Sequence, residues 1–262
     1  MSVEFVDFSC GYTKKNIVLK DISLKCNRGE ILCILGNNGI GKTTLIKSIF
    51  NVDRIIRGDI LIDGKSIKDI SQKERASIFA YVPQVRKNMF DLPVEEVIMM
   101  GRANHIELFG FPKDIDYKLV DDAMVDLGLT NLRGKKYLNL SGGEQQLVMI
   151  ARAIVQQTQY IILDEPESNL DYKNRKKVMN VIRKLADNGI GVIVISHMPE
   201  MAIYWNSKIF MISNERRGIY GTIDEVFKEH ILNKIYGIDI GIATVKNRQG
   251  METKVLFMEE EN

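Results

Sequence analysis

Apolar and polar residues alternate along Val3–Phe8 (VEFVDF) and again along Ile17–Lys25 (IVLKDISLK), as in strands with one buried face. Glu30–Gly36 (EILCILG) is a short apolar run, the pattern of a strand buried on both faces. Directly after it, GNNGIGKTTLIKSIF turns on glycines and takes up helical spacing. GDILID predicts another strand, ended by a turn at Asp63-Gly64. From about Val85 to Gln157 the period changes. VEEVIMMGR, DYKLVDDAMVDLGL and GGEQQLVMIARAIVQQ carry apolar residues at i, i+3 and i+4, with no strand pattern between them. Beyond this helical insert, the runs YIILDEP, GVIVIS and KIFMIS are separated by helical segments such as KNRKKVMNVIRKLADNG. Strand, helix, strand alternation implies a parallel sheet covered on both faces. Gly189 and Gly191 suit the helix end and turn before GVIVIS.

The chain has 262 residues, 45% hydrophobic and 27% charged, enough for a sizeable core. Its 36 basic residues nearly balance 34 acidic ones, which argues against nucleic-acid binding through bulk charge. Cys10, Cys26 and Cys33 form no CxxC pair and read as core-filling thiols in a reducing compartment. No run approaches 18 apolar residues, so no membrane-spanning helix is expected. The first residues lack the basic-then-apolar order of a signal peptide. The acidic run Glu259 to Glu261 reads as a solvated tail.

Gly36-Asn37-Asn38-Gly39-Ile40-Gly41-Lys42-Thr43 fits G-x-x-x-x-G-K-[ST] at every fixed position, between an apolar strand and a helix. Glycines allow backbone N–H groups to surround phosphate oxygens, and the helix that follows points its positive end at the same anion. Lys42 supplies a mobile cation, and the Thr43 hydroxyl can ligate Mg²⁺. The fold class expected is α/β: a P-loop NTPase core with a parallel sheet, an N-terminal antiparallel β part and an inserted helical subdomain. The boundaries are one domain over 1–262, with core and β part in 1–87 and 158–262 and the helical subdomain in 88–157.

Four further signals follow in order. Ile161 to Leu163 lead an apolar strand into Asp164, which can serve the Mg²⁺ shell, and Glu165, which can take a proton from water. Ser141 is a good helix N-cap, and Gly142 and Gly143 leave amides open at a second anion-binding helix start. Gln84 ends the short strand Tyr81-Val82, and His197 follows GVIVIS. Alone, each has a bland reading as a loop or capping residue; together and in this order they do not.

These motifs resemble the nucleotide-binding subunits of ATP-binding cassette (ABC) transporters over essentially the whole chain. GNNGIGKTT is similar to Walker A, LSGGEQQ to the family signature, and YIILDEP to Walker B with Glu165 as catalytic base. Gln84 is similar to the Q-loop glutamine, Ser168-Asn169-Leu170-Asp171 to the D-loop, and His197 to the switch histidine. The resemblance implies a triphosphate contact set of Asn37, Asn38, Gly39, Gly41, Lys42, Thr43, Thr44, Ser141, Gly142 and Gly143. It implies catalytic roles for Glu165, His197, Gln84 and Lys42, and Mg²⁺ at Thr43, Gln84 and Asp164. Tyr12 sits where the family stacks an aromatic on adenine; packing in the core is the alternative. Glu167, Met198-Pro199 and Asn37 depart from the family's commoner residues.

By the same resemblance, ATP is held between two copies paired head to tail. The dimer docks on integral-membrane permease subunits at the cytoplasmic face of the cell membrane, serves an extracytoplasmic solute-binding protein indirectly, and binds no nucleic acid. The run Val94 to His105 resembles importers of ferric siderophores, haem, cobalamin and oxyanions such as molybdate, as does Ile231 to Gly237. His105 has no second ligand at metal spacing, which leaves a permease contact or helix-end packing. The rival readings are a non-transport ABC ATPase, which needs a coiled coil or second cassette absent from this sequence, an ABC ATPase serving another small molecule, and a metabolic P-loop kinase, in which LSGGEQQ has no role.

Overall fold

The computed structural model describes residues 1–84, 91–107, 110–168, 170–246, 250 and 252–258. They fall into two units, divided after Ile70 and after Val192. Glu259 to Glu261 and Asn169 lie outside the described residues.

The first unit begins with β1 (Ser2–Thr13) and β2 (Asn16–Asn27), then β3 (Ile31–Leu35), α1 (Lys42–Phe50), β4 (Ile55–Ile62) and the short β5 (Lys65–Ser66). β2, β1, β4 and β5 make an antiparallel sheet in that order. Strict alternation from Val3 and Phe5 would turn Phe8 outward. The strand instead bulges between Phe5 and Phe8, with Asp7 at φ 44°, so Val6 and Asp7 face solvent and Phe8 returns to the core. Phe5 and Phe8 then meet edge to face at 5.0 Å. All five residues of β3 are buried, as its unbroken apolar run requires. The three cysteines are free and buried, and burial pushes the Cys10 and Cys26 thiols up to about 11 and about 12.

The second unit opens with α2 (Gln72–Ile78), fixed by a Ser71–Glu74 capping box, and β6 (Phe79–Val82). Three helices follow: α3 (Val94–Met99), α4 (Asp114–Asp126) and α5 (Gly142–Val155). Between Asp91 and Gln157 the described residues form no strand, only the single bridge Pro93–Lys136. β7 (Tyr160–Asp164) runs parallel to β6. α6 (Tyr172–Asp187) starts on Asp171 as N-cap and ends before Gly189, at φ 83°. β8 (Gly191–Ile195) crosses the division between the units, and its buried Val-Ile-Val-Ile run carries the chain back into the first.

There, Ser196 N–H donates to Ile34 O on β3. α7 (Pro199–Trp205) has Pro199 at its first turn, where a missing N–H is harmless. β9 (Lys208–Ile212) lies parallel to β3, and β10 (Gly218–Gly221) antiparallel to β9. α8 (Ile223–Val226) and α9 (Glu229–Tyr236) precede a final antiparallel hairpin of β11 (Ile240–Lys246) and β12 (Glu252–Met258).

Within the run Val94 to His105, the buried Val94, Val97, Ile98, Gly101 and Arg102 pack among the helices. A Cβ on Gly101 would stand 2.1 Å from the Arg152 carbonyl oxygen, so only glycine lets this turn rest on α5. Arg102 is buried; it pairs with Asp116 of α4 at 2.8 Å and donates to Val155 O and Gln157 Oε1 at the end of α5. His105 Nε2 lies 3.0 Å from Gln156 O. These contacts satisfy the last carbonyls of α5, which the helix itself cannot. The Lys113 N–H and the Arg102 guanidinium hold the Asp116 carboxyl below its ordinary range.

Arg102→Ala is expected to cost roughly 3–5 kcal/mol in denaturant unfolding, because Asp116 and the α5 carbonyls stay buried with a partner gone. Arg102→Lys should recover only part of this, since one ammonium cannot replace the planar fork. Asp116 carries a depressed pKa, so its stabilisation is present above the ordinary carboxylate range and is lost as pH falls through the folded-state value. Arg102→Ala should flatten that acid limb; an unchanged limb would refute the assignment.

Candidate functional site

In the first unit the glycine loop leaves β3 and enters α1 with backbone angles that side chains resist. Gly36 has φ 146° and Gly41 φ 116°, and a Cβ on Gly41 would meet Val18 Cγ1 at 2.6 Å. Asn38 and Gly39 at the loop's tip are exposed. Lys42 is 5% exposed and its Nζ donates to Gly36 O at 2.6 Å and Asn37 O at 3.0 Å, so the ammonium lies folded over the loop. Thr43 and Thr44 follow in the first turn of α1, where no acidic residue opposes an anion.

Asn37 behaves differently from its neighbours. Its side-chain amide donates to Ile235 O on α9 at 2.8 Å. Its backbone stays in the loop while its side chain ties the loop to the last turn of α9. Tyr12 is 63% exposed, with the Arg54 guanidinium over its ring at 5.0 Å, so it is a surface platform and not a core residue. His197 is exposed and stands on a cavity of about 300 Å³ with Met198, Pro199, Tyr236 and the hairpin residues Leu256 and Phe257. Ser196 is fully buried, and its Oγ accepts from the Met198 N–H at 2.9 Å, which shapes the turn carrying His197.

In the second unit, β7 ends at Asp164, 7% exposed. Glu165 then takes φ 48°, a left-handed conformation uncommon outside glycine and asparagine. Two donors converge on its Oε2: Gln84 Nε2 at 3.0 Å and Ser168 Oγ at 3.1 Å. Gln84, Glu165 and the start of the Ser168–Asp171 loop thus form one cluster. Glu167, 2% exposed, points away from solvent.

Ser141 caps α5 through a full capping box with Glu144: its Oγ accepts from Glu144 N–H, and its own N–H and hydroxyl donate to Glu144 Oε2 at 2.9 and 2.7 Å. Those bonds hold the Glu144 carboxyl below its ordinary range. Gly142 opens the helix exposed, whereas Gly143 is buried, and a Cβ there would meet the Asn174 side chain of α6 at 2.6 Å. Gly143 therefore has a packing reason of its own beside its open amide.

Sequence reasoning missed the partners of these groups. Tyr81 donates to Asp164 Oδ2 at 2.9 Å, and no pattern in either strand announces the pair. The hairpin beside His197 was also not anticipated. For a metal, the described residues hold no group of three His, Cys, Asp or Glu side chains. Asp164, buried at the end of β7, and the Thr43 hydroxyl on α1 are each hard oxygen donors of the kind Mg²⁺ takes beside phosphate and water.

Gly41→Ala should strain the loop by roughly 1–3 kcal/mol at its positive φ and push it against Val18. Binding of a fluorescent ATP should weaken by about tenfold or more while the far-ultraviolet circular dichroism stays unchanged. Undiminished binding would show that the loop's glycine backbone is dispensable.

Residues 19–168 match the ABC transporter family. The chain is 34% identical over 250 residues to the hemin import ATP-binding protein of Bordetella avium, covering 92% of this chain and 94% of that protein. It is 32% identical over 216 residues to the molybdate import ATP-binding protein of Haemophilus influenzae, covering 82% and 79%. A solved structure described as a metal-chelate type ABC transporter in an inward-facing conformation superposes with a TM-score of 0.87 at 26% identity, over 99% of this chain and 97% of that one. The α/β fold with its antiparallel β part is that of these ATPases. The glycine loop, the capped signature helix and the Asp164-Glu165 strand end thus sit in a chain that belongs to the ABC transporter family, as an ATP-hydrolysing subunit coupled to transport.

Proposed function

We propose that this subunit powers import of a metal chelate or an oxyanion, with Glu165 as the general base of ATP hydrolysis. The observation that carries the catalytic part is the convergence of Gln84 and Ser168 on one oxygen of Glu165 directly after the buried Asp164. A general base must be held within reach of its proton, and two donors on one oxygen fix its rotamer. The glycine loop's amides and Lys42 would bind the phosphates, Tyr12 would stack on the base, and Thr43 and Asp164 are the donors that would suit Mg²⁺, which when bound would neutralise charge on the phosphates. His197, on its serine-shaped turn, steadies the phosphoryl group, and Gln84 relays its state to the permease.

Assembly follows from the helix ends. The Lys42 and Ser141 helices each present an N-terminus, and a triphosphate between two copies would share its charge with one from each. A twofold head-to-tail dimer makes two equivalent sites. No described helix is long and apolar enough to cross a membrane, so attachment to the cytoplasmic face comes through permease subunits served by a solute-binding protein. The helical segment 88–157 is the part we assign to that contact. The substrate class rests on the relatives that import hemin and molybdate and on the metal-chelate transporter, since Gly101 and Arg102 in the Val94 to His105 run are accounted for by packing.

Glu165→Gln keeps the shape and both donors' partner atom but cannot take the proton. It should retain ATP binding, lose roughly 10²–10⁴-fold in hydrolysis and accumulate as an ATP-bound dimer in gel filtration. Wild-type turnover would remove Glu165 from the role. For the transport reading, vesicles holding the cognate permease and binding protein should take up hemin or molybdate only with ATP; outward pumping, or uptake of neither, would overturn it.

A further inference from the structure

β6 and β7 are parallel, with Tyr81 opposite Ile162 and Val82 opposite Leu163. Side chains two residues apart share a strand face and stand about 6.6 Å apart along it. Asp164 therefore projects from the same face as Ile162, one step nearer the strand end than Tyr81. A tyrosine ring laid along that step brings its hydroxyl to Asp164 Oδ2 at 2.9 Å. Phenylalanine at the same place would cover the same surface and leave the carboxylate without this donor.

We propose that Tyr81 is a positioning residue for the metal carboxylate: its hydroxyl fixes the rotation of Asp164 and thereby sets how tightly the chain holds Mg²⁺ with nucleotide. This rests on reading Asp164 as the metal's carboxylate. A carboxylate 7% exposed retains little water to orient it, so a protein donor decides which way it faces. Outer donors of this kind keep a ligand in its binding orientation before the ion arrives. The hydroxyl also reports on strand register, because a slip of one residue between β6 and β7 would carry Tyr81 to the opposite face.

The test is Mn²⁺ binding to the full chain with a non-hydrolysable ATP analogue, followed by electron paramagnetic resonance, for Tyr81→Phe, Asp164→Asn and the double variant. Phe79, two residues earlier, shows that the strand accepts phenylalanine. Tyr81→Phe should weaken Mn²⁺ by about ten- to a hundredfold, and Asp164→Asn by at least as much. Metal-free binding of the analogue should stay unchanged in Tyr81→Phe. The double variant should be no weaker than Asp164→Asn alone, because the hydroxyl acts only through that carboxylate. Full Mn²⁺ affinity in Asp164→Asn would remove the reading of Asp164, and this proposal with it. A weakened Asp164→Asn beside an unaffected Tyr81→Phe would overturn the proposal alone. So would a Tyr81→Phe that loses metal-free nucleotide binding equally, since that marks a purely structural hydroxyl.

Discussion

Backbone N–H groups can surround a phosphate only where the chain turns through angles that a Cβ forbids, and this constraint organises the first unit. Gly36 and Gly41 take those angles, and Val18 and Leu19 of β2 close against Gly41 from behind. The loop is held from both ends: β3 is buried along its whole length, and α1 is anchored by Leu45, Ile46 and Ile49. Lys42 on the loop's own carbonyls and Asn37 on Ile235 then fix what the glycines leave free. Asn37 stands where the family commonly has proline. A proline restrains a loop through its ring, and Asn37 restrains it through a hydrogen bond to α9, at the cost of making the loop depend on that helix.

In the second unit the comparable constraint is a buried charge. Arg102 is taken out of water, and it is tolerated because Asp116, Val155 and Gln157 together meet its donors. One side chain thereby joins the turn after α3, the body of α4 and the end of α5, while Gly101 lets the same turn touch α5 by backbone. A run that resembles a branch of importers is thus a packing device of the helical layer. The resemblance remains informative about ancestry, while Gly101 and Arg102 within it are explained by their contacts with α4 and α5.

The parts of the molecule legible in the sequence are those set by the backbone or by one strand's own pattern. The glycine loop, the Ser141 cap, and the buried strands β3, β7 and β8 follow from local chemistry, so each could be placed by number. Contacts that depend on register or on distant segments were not legible. Tyr81 reaches Asp164 only because β6 sits opposite β7 in one register. The bulge at Asp7 brings Phe8 back to the buried face, and further register shifts follow along β1; the adjacent Phe5 and Val6 mark the break in alternation but not which of the two is buried. The final hairpin escaped because its strands are mostly half exposed on both faces, which blurs the alternation that marks a strand with one dry side.

Glu165 shows how a site of this kind departs from what stability alone would select. β7 is buried throughout, so the chain must leave the sheet abruptly after Asp164. The turn it makes gives Glu165 a φ of 48°, where glycine or asparagine would sit with less strain; for other residues the cost is of order 1–3 kcal/mol. The surroundings over-determine the conformation: Ser168 N–H donates to Glu165 O at 3.1 Å, while Gln84 and Ser168 side chains hold its carboxylate. A long acidic side chain at a strained corner, with two donors on one carboxylate oxygen and a third on its own backbone carbonyl, fits the general base proposed above.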